Sequence, residues 1–287
     1  MITPRQPERQ SLTRLIAQVD MQPAGAVPPD TVPTGFPSID RILGGGFRQR
    51  DLIVLGGDVG SGKSALALAL ALRAAAGGMP VTLISGEMDE DRIMERALAL
   101  EGRATVDDIR RATLSTETRA RVGAAALALQ DLPITVHAVS APTLDEVLAP
   151  AWVDDPALLI LDYLQLLPPP APKTSQAEDD ASTLRALKVT ALQRRVPILL
   201  LAQLPRLSPD RDDPRPTLDD FGSLGAVKQH ADTVLGIYRE EMYRTDPGLE
   251  GATELIVAKN RNGPTGFVDL YFYPQWMRFE DMVDPDR

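Results

Sequence analysis

The fold is decided by one glycine-rich stretch, Gly57-Asp58-Val59-Gly60-Ser61-Gly62-Lys63-Ser64. It follows the apolar run Leu52–Leu55 and precedes the Ala/Leu-rich run Ala65–Ala76. A strand, a loop and a helix in this order are the setting in which Gly, four residues and Gly-Lys-Ser bind phosphate. The glycines let backbone N–H groups turn toward phosphate oxygens, and the helix N-terminus adds partial positive charge. Residues 57–65 are therefore predicted to contact a nucleotide.

The same stretch predicts a divalent cation beside the nucleotide. Lys63 is expected to reach the β- and γ-phosphates, and the Ser64 hydroxyl is expected to take Mg²⁺. Asp162 ends the apolar run Leu158–Leu161, so a buried strand delivers its carboxylate to the sheet edge. Phosphate-loop enzymes hold the magnesium shell in this way. We expect ATP and Mg²⁺ as cofactors, with Ser64 and Asp162 as the metal ligands.

Two further polar residues follow predicted strands. Glu87 lies just past Val81–Ser85, and if that strand neighbours the phosphate-loop strand, its carboxylate can face the γ-phosphate and activate water. A helix-start acid favoured by the helix dipole explains Glu87 equally well. Gln203 follows Ile198–Ala202 and can sense the γ-phosphate, although position alone favours an ordinary loop residue.

A basic turn, Lys259–Gly266, separates two late apolar segments, Glu254–Ala258 and Phe267–Phe272. Lys259 and Arg261 are one residue apart, so in extended backbone they point the same way. They can place charge on a phosphate, and phosphoryl transfer often uses an arginine supplied in trans. A plain surface turn is the competing interpretation.

The rest of the chain alternates apolar strands with helical segments, which predicts an α/β fold. Continuous apolar strands flanked by helices indicate a mostly parallel central sheet covered on both faces, with the late segments as a C-terminal antiparallel hairpin. Residues 1–33 are expected to form a tail, with a helix at Ser11–Asp20 and a linker at Met21–Pro33, and residues 34–287 to form the domain. The remaining elements expected are a strand at Ile134–Val136, a strand at Val234–Tyr238, and helices at Ser38–Leu43, Asp89–Glu101, Thr116–Leu129 and Ala181–Arg194.

Composition excludes several classes of protein. The 287 residues carry a net charge of −10 and no cysteine, so disulfides and thiolate metal sites are excluded. His137 and His230 are far apart and are expected to be structural. No apolar run is long enough for a bilayer, and Met1–Asp20 lacks the apolar core of a signal peptide. We expect a cytoplasmic protein without a membrane partner.

The phosphate loop, the polar residues at the strand ends and the basic turn occur in an order along the chain that resembles the C-terminal motor domain of the DnaB-type replicative helicases. These helicases are a branch of the RecA-like ATPases. The segments that match are Thr34–Asp40, Ser85–Met88, Ile160–Leu166, Ala202–Arg206, Gln229–Asp232 with Tyr238–Glu241, and Lys259–Pro264.

The resemblance implies a RecA-like phosphate-loop core that hydrolyses ATP in a homo-oligomeric, hexameric ring and moves on single-stranded DNA. By this resemblance Glu87 is the catalytic base and Gln203 is a γ-phosphate sensor. Arg261 is an arginine finger with Lys259 as its companion, and both reach the nucleotide of a neighbouring subunit.

Three departures from the family keep alternatives open. The family's primase-contacting N-terminal domain is expected to be missing, with only the tail in its place, and the sequence identifies no loader or primase partner. Gly60–Ser64 and Leu43–Phe47 look more like the RadA-type recombination ATPases. The DNA-contacting loop lacks the family's Arg-Glu pair and reads Gly222–Gly225. A RadA-like repair ATPase and a nucleotide-switched assembly protein without unwinding activity are therefore the alternatives.

If single-stranded DNA binds, we expect loops that follow the strands to hold it. The candidates are Pro168–Asp180, Arg206–Pro216 and Gly222–Lys228. Backbone N–H groups near Gly222 and Gly225 are expected to take phosphates, and charge is expected from Lys173, Arg206 and Lys228.

Overall fold

The computed structural model describes residues 21, 23, 26–173, 175–205, 211–244 and 248–282. The predicted helix Ser11–Asp20 lies outside these residues. Over the described part of the chain, one nine-stranded sheet has the order β11-β10-β9-β8-β3-β7-β6-β4-β5. A two-stranded ribbon, β1 with β2, lies apart from it. The predicted α/β fold class is confirmed.

The strands have the following bounds: β1 Thr31–Val32, β2 Phe47–Arg48, β3 Leu52–Gly57, β4 Val81–Ser85, β5 Ile134–Ala138, β6 Leu158–Asp162, β7 Ile198–Gln203, β8 Thr233–Arg239, β9 Ala252–Asn260, β10 Gly266–Tyr273 and β11 Arg278–Asp281. The helices are α1 Pro37–Leu43, α2 Lys63–Ala76, α3 Glu90–Gly102, α4 Val106–Arg111, α5 Thr116–Gln130, α6 Leu144–Asp154, α7 Gln176–Arg194 and α8 Ala226–His230.

The strands from β8 to β5 run parallel, with β3 between β7 and β8. Almost all residues of β8, β3, β7, β6 and β4 are buried, because helices cover both faces of the sheet, whereas the edge strand β5 is only partly buried. One core joins the sheet to α2 and α3, and the other joins it to α6, α7 and α8. This arrangement brings the carboxyl ends of β3, β4, β6 and β7 to a single edge, where ligands of such sheets bind.

Side-chain caps explain where several helices begin. Asp89 accepts the N–H of Arg92 at the start of α3, and Ser115 accepts that of Thr118 at the start of α5. Ser175 accepts the N–H of Glu178 at the start of α7. Each cap satisfies an N–H group that has no partner within its own helix.

The late hairpin is confirmed and extends further than predicted. Strand β9 pairs antiparallel with β8, and β10 pairs with both β9 and β11. The strand at Arg278–Asp281 was not predicted, because charged residues at three of its four positions hide its single buried residue, Phe279.

Two local predictions were wrong, and a condition stated for the position of Glu87 is not met. Thr31–Val32 forms a strand rather than linker, since Val32 is buried in the core and pairs with Phe47. The loop expected at Pro168–Asp180 ends at Ser175, whose cap starts α7. Strand β4 does not neighbour β3, because β6 and β7 lie between them.

Among the described residues, no helix has the length and apolar character needed to cross a membrane.

Candidate active site

The phosphate loop turns between β3 and α2 in a conformation that requires its glycines. Gly62 has a φ of +99°, and a Cβ there would lie 2.9 Å from the ring of Phe279. At Gly57 a Cβ would lie 2.5 Å from the Oγ of Ser61. That Oγ is buried and, among the described residues, makes no hydrogen bond. A buried polar atom of this kind suits a loop that is completed by a ligand.

Lys63 lies at the first position of α2, where its ammonium is folded back onto the loop. The Nζ donates to the carbonyl oxygens of Gly57 at 2.9 Å and Asp58 at 2.8 Å. Burial lowers the pKa of Lys63, while Asp162, Asp58 and Glu87 act in the opposite direction. A phosphate oxygen can replace these carbonyls as the acceptor, which fits the role predicted for Lys63.

The end of β8 contacts the phosphate loop through Arg239. Arg239 Nη1 donates to the carbonyl of Gly60 at 3.1 Å, and its guanidinium stacks over Phe272 at 4.5 Å. The guanidinium also pairs with Glu241, which accepts the N–H of Gly251 at 3.0 Å. This hydrogen bond restricts the orientation of the peptide unit that carries the Gly60 carbonyl.

Asp162 and Ser64 meet beside Lys63. The Ser64 side chain hydrogen-bonds the Asp162 carboxylate, which is only 6% exposed. Burial raises the pKa of Asp162, Glu87 raises it further, and Ser64 and Lys63 lower it. A carboxylate and a hydroxyl are hard oxygen donors of the kind Mg²⁺ takes together with phosphate oxygens and water. These two residues therefore fit the metal site predicted for them.

The described residues contain no group of three or more His, Cys, Asp or Glu that suits a metal ion. A site built from one carboxylate, one hydroxyl and the nucleotide needs no such group. His137 instead lies on the edge strand β5 and hydrogen-bonds Asp154 at 2.8 Å.

Glu87 reaches the same cavity by a route that differs from the predicted one. The Ser85 hydroxyl accepts hydrogen bonds from the N–H groups of Met88 at 2.9 Å and Glu87 at 3.3 Å. The N–H of Gly86 donates to the backbone carbonyl of Asp162 at 2.8 Å. The turn after β4 is thereby tied to the end of β6, its neighbour in the sheet. Glu87 lines a cavity of about 310 Å³ together with Lys63, Ser64 and Asp162.

Gln203 and one unpredicted residue complete the polar lining of this cavity. Gln203 closes β7, and the Gln165 amide bonds its backbone N–H at 3.3 Å and its carbonyl at 3.4 Å. Arg96, on α3, also lines the cavity and lowers the pKa of Asp162. No motif marked Arg96, because a single cation on a charged helix resembles a solvated face. Phe272 and Met277 supply an apolar wall.

Lys259 and Arg261 lie far from this cavity within one chain. Arg261 N–H donates to the carbonyl of Asp232 at 2.9 Å, and Asp232 N–H donates to Leu52 at 2.8 Å. Leu52 begins β3, and the phosphate loop lies at the other end of this strand. The two ends of β3 are about 16 Å apart at a rise of about 3.3 Å per residue. The ammonium of Lys259 donates to the carbonyls of Lys228 and Ala231, both at 2.6 Å. The turn cannot serve its own phosphate loop.

The described part of the predicted DNA loops offers fewer phosphate contacts than expected. The N–H groups of Gly222 and Gly225 are taken by Asp219 at 3.4 Å and Gly222 at 3.0 Å, within 3₁₀ turns. These two N–H groups are therefore engaged within the chain, and the expectation that N–H groups near Gly222 and Gly225 bind phosphates stays a prediction. Lys228 lies on α8 and pairs with Asp219. Arg206 lies outside the described residues.

Fold and site together define a phosphate-loop nucleotide-binding protein of the α/β class. A family model described as the DnaB-like helicase C terminal domain matches residues 31–281. The chain therefore belongs to the DnaB-like helicase C-terminal domain family, and the resemblance predicted from its motifs is confirmed.

Curated relatives carry the same assignment. Replicative DNA helicase DnaB of Buchnera aphidicola is 33% identical over 255 residues, which is 86% of this chain and 55% of that protein. Replicative DNA helicase DnaB of Geobacillus stearothermophilus is 30% identical over 257 residues, 88% of this chain and 56% of that protein. The chain spans about half the length of these relatives.

Solved structures match nearly the whole chain. A DnaB-like replicative helicase, studied with its interactions with primase, superposes with a TM-score of 0.88 at 25% identity, covering 96% of this chain and 69% of that one. A second solved structure, of an ATPase domain, superposes with a TM-score of 0.87 at 25% identity, covering 95% of this chain and 97% of that one.

Proposed function

We propose that this chain is an ATP-hydrolysing motor domain of DnaB type that works in a homo-oligomeric, hexameric ring, translocates on single-stranded DNA and unwinds duplex during replication. The observation that carries the proposal is the position of the turn with Lys259 and Arg261. It lies at the opposite end of β3 from the phosphate loop. A complete site then needs a second copy of the chain.

In the proposed site, each residue has a separate task. Lys63 and the loop N–H groups hold the β- and γ-phosphates, and Ser64 and Asp162 hold Mg²⁺, which supplies charge neutralisation for the transferring phosphoryl group. Glu87 orients and deprotonates the attacking water. Gln203 senses the γ-phosphate. Arg261 and Lys259 of a neighbouring subunit stabilise the charge that develops in the transition state.

Family membership favours this function over a RadA-like recombination ATPase, because the relatives above are named as replicative helicases. The nucleotide-switched assembly protein remains the second candidate. Two observations favour it: the missing Arg-Glu pair and the ion pair that already neutralises Lys228.

Strand displacement on a forked duplex separates the candidates. A DnaB-type motor displaces the strand only with ATP and Mg²⁺, and Lys63→Ala abolishes displacement and hydrolysis together. A switch protein binds ATP and oligomerises but displaces no strand. ATP hydrolysis without displacement on any forked substrate would contradict the motor.

A further inference from the structure

A buried group of charges lies beneath the turn that carries Arg261. Asp232 is 1% exposed, between the end of α8 and the start of β8. Its Oδ2 accepts the N–H of Leu52 at 2.9 Å and a hydrogen bond from Lys188 of α7. Its Oδ1 pairs with Arg261 Nη1 at 3.3 Å. One carboxylate therefore joins the phosphate-loop strand, helix α7 and the basic turn.

A second carboxylate supports the next residue of the turn. Asn262 Nδ2 donates to Asp51 Oδ2 at 3.4 Å, and Asp51 Oδ1 lies 3.9 Å from Lys188 Nζ. Lys188 also donates to the carbonyl of Arg50 at 2.9 Å. Lys188 thus contacts both carboxylates that hold the turn.

This network is costly for a role in stability alone. Two buried charges lose their hydration, and a well-packed apolar pair is often as stable. Arg261 and Asp232 differ in exposure: the Arg261 side chain is 53% exposed, while that of Asp232 is 2% exposed. A free arginine has many rotamers, and a rigid, buried partner restricts them before any phosphate arrives. A contact through Nη1 also leaves the guanidinium other donors to offer.

We propose that Asp232 is a positioning residue for Arg261 in the trans site, with Lys188 and Asp51 as its support. The inference rests on the arginine role in the proposed function and adds the residues that hold the arginine in place. Asp232 lies beneath the guanidinium and acts by fixing where that group stands.

The test is a double-mutant cycle on the full-length chain, measured as ATP turnover with Mg²⁺ and single-stranded DNA. Arg261→Ala is expected to lower kcat by roughly 10³-fold or more. Asp232→Asn is expected to lower kcat by about 10- to 100-fold, as a misplaced group does, with KM for ATP within about twofold of wild type. Arg261→Ala with Asp232→Asn is expected to match Arg261→Ala alone, because one residue acts through the other.

Additive losses in the double variant, or a raised KM in Asp232→Asn, would show a structural role and overturn the inference. A kcat above wild type in Asp232→Asn would mean that Asp232 restrains the arginine, and would overturn it as well. Asp107→Asn, which breaks the exposed pair with Arg111 on α4, is the matched control and should change nothing.

If Asp232→Asn does not fold, Asn262→Ala replaces it in the cycle, because its side chain is exposed and loses only the bond to Asp51. A severalfold lower kcat that disappears in the Arg261→Ala background supports the proposal, and full turnover contradicts it. Full turnover in Arg261→Ala itself would instead refute the arginine role in the proposed function, and the inference with it.

Discussion

At the scale of single residues, Glu87 is the proposed base for ATP hydrolysis. Glu87 lines the cavity that also contains Lys63 and Asp162, and its turn is held by hydrogen bonds to Ser85. Glu87→Gln keeps the size and hydrogen-bonding ability of the side chain but removes the base. We therefore expect nucleotide binding to persist while kcat falls by about 10²- to 10⁴-fold.

Turnover and binding of a fluorescent ATP analogue measure these two effects separately. Asp91→Asn, which neutralises a nearby exposed acid in the first turn of α3, is the control and should behave as wild type. Normal turnover in Glu87→Gln would remove Glu87 as the base.

The raised pKa of Asp51 predicts that the stability of the fold depends on pH. Burial and the nearby charge of Asp232 raise the pKa of Asp51 from 3.8 to about 6. The folded state therefore favours the protonated acid. The contribution of Asp51 to the free energy of unfolding is fully present below pH 3.8 and is lost as pH rises through about 6. A pKa shift of this size changes the free energy of unfolding by about 2–3 kcal/mol between the two ends of this pH range.

Asp51→Asn is close in shape and carries no charge at any pH. We expect it to unfold at higher urea concentration than wild type at about pH 8, with the difference shrinking toward about pH 4. The measurement is urea unfolding across this range. A difference that does not change with pH would contradict the raised pKa.

At the scale of elements, Arg239 connects the end of β8 to the phosphate loop. Arg239→Gln removes the bond to the Gly60 carbonyl and the contact with Phe272, and leaves Glu241 without its cation. We expect KM for ATP to rise by about tenfold, since the loop N–H groups are no longer held in one direction. Arg244→Gln, which breaks an exposed pair with Glu240, is the control. An unchanged KM in Arg239→Gln would contradict the role of this contact.

Apolar periodicity predicted the six parallel strands and the helices beside them, because continuous apolar runs are typical of buried strands. Helix α6 is absent from that prediction because Pro150 lies inside it and suggests a break. The order of the strands could not be predicted, since β6 is inserted beside β4 by contacts distant in sequence. Glu87 lines the cavity that also contains Lys63, although its strand β4 neighbours β6 and not β3.

The candidate site was predictable where a residue ends a strand. Asp162, Gln203 and Lys63 occupy the sheet edge because the chain places each at a carboxyl end of a strand or just after it. The roles of Arg96 and Asp232 could not be predicted in this way. They depend on which helix and which turn pack against the sheet, and neighbours in sequence do not determine that.

At the scale of the whole molecule, the net charge of −10 predicts weak binding to DNA. We expect about one to three phosphates neutralised per subunit, and hence a shallow dependence of affinity on salt. Single-stranded DNA should stimulate ATP turnover at low salt. Lys173→Glu, on an exposed loop, should reduce this stimulation more than Lys228→Glu, because Asp219 already neutralises Lys228. Absence of binding and stimulation even at low salt would favour the switch protein.

The central claim is that each active site is shared by two copies of the chain. Lys63→Ala and Arg261→Ala damage opposite ends of β3, so each protein alone should be inactive. Mixed rings contain some interfaces where an intact phosphate loop meets an intact Arg261. The most direct measurement is therefore ATP turnover after the two inactive proteins are mixed under conditions that exchange subunits. We expect activity to return on mixing and to be absent in each protein alone; no recovery in rings shown to be mixed would contradict a site shared between subunits.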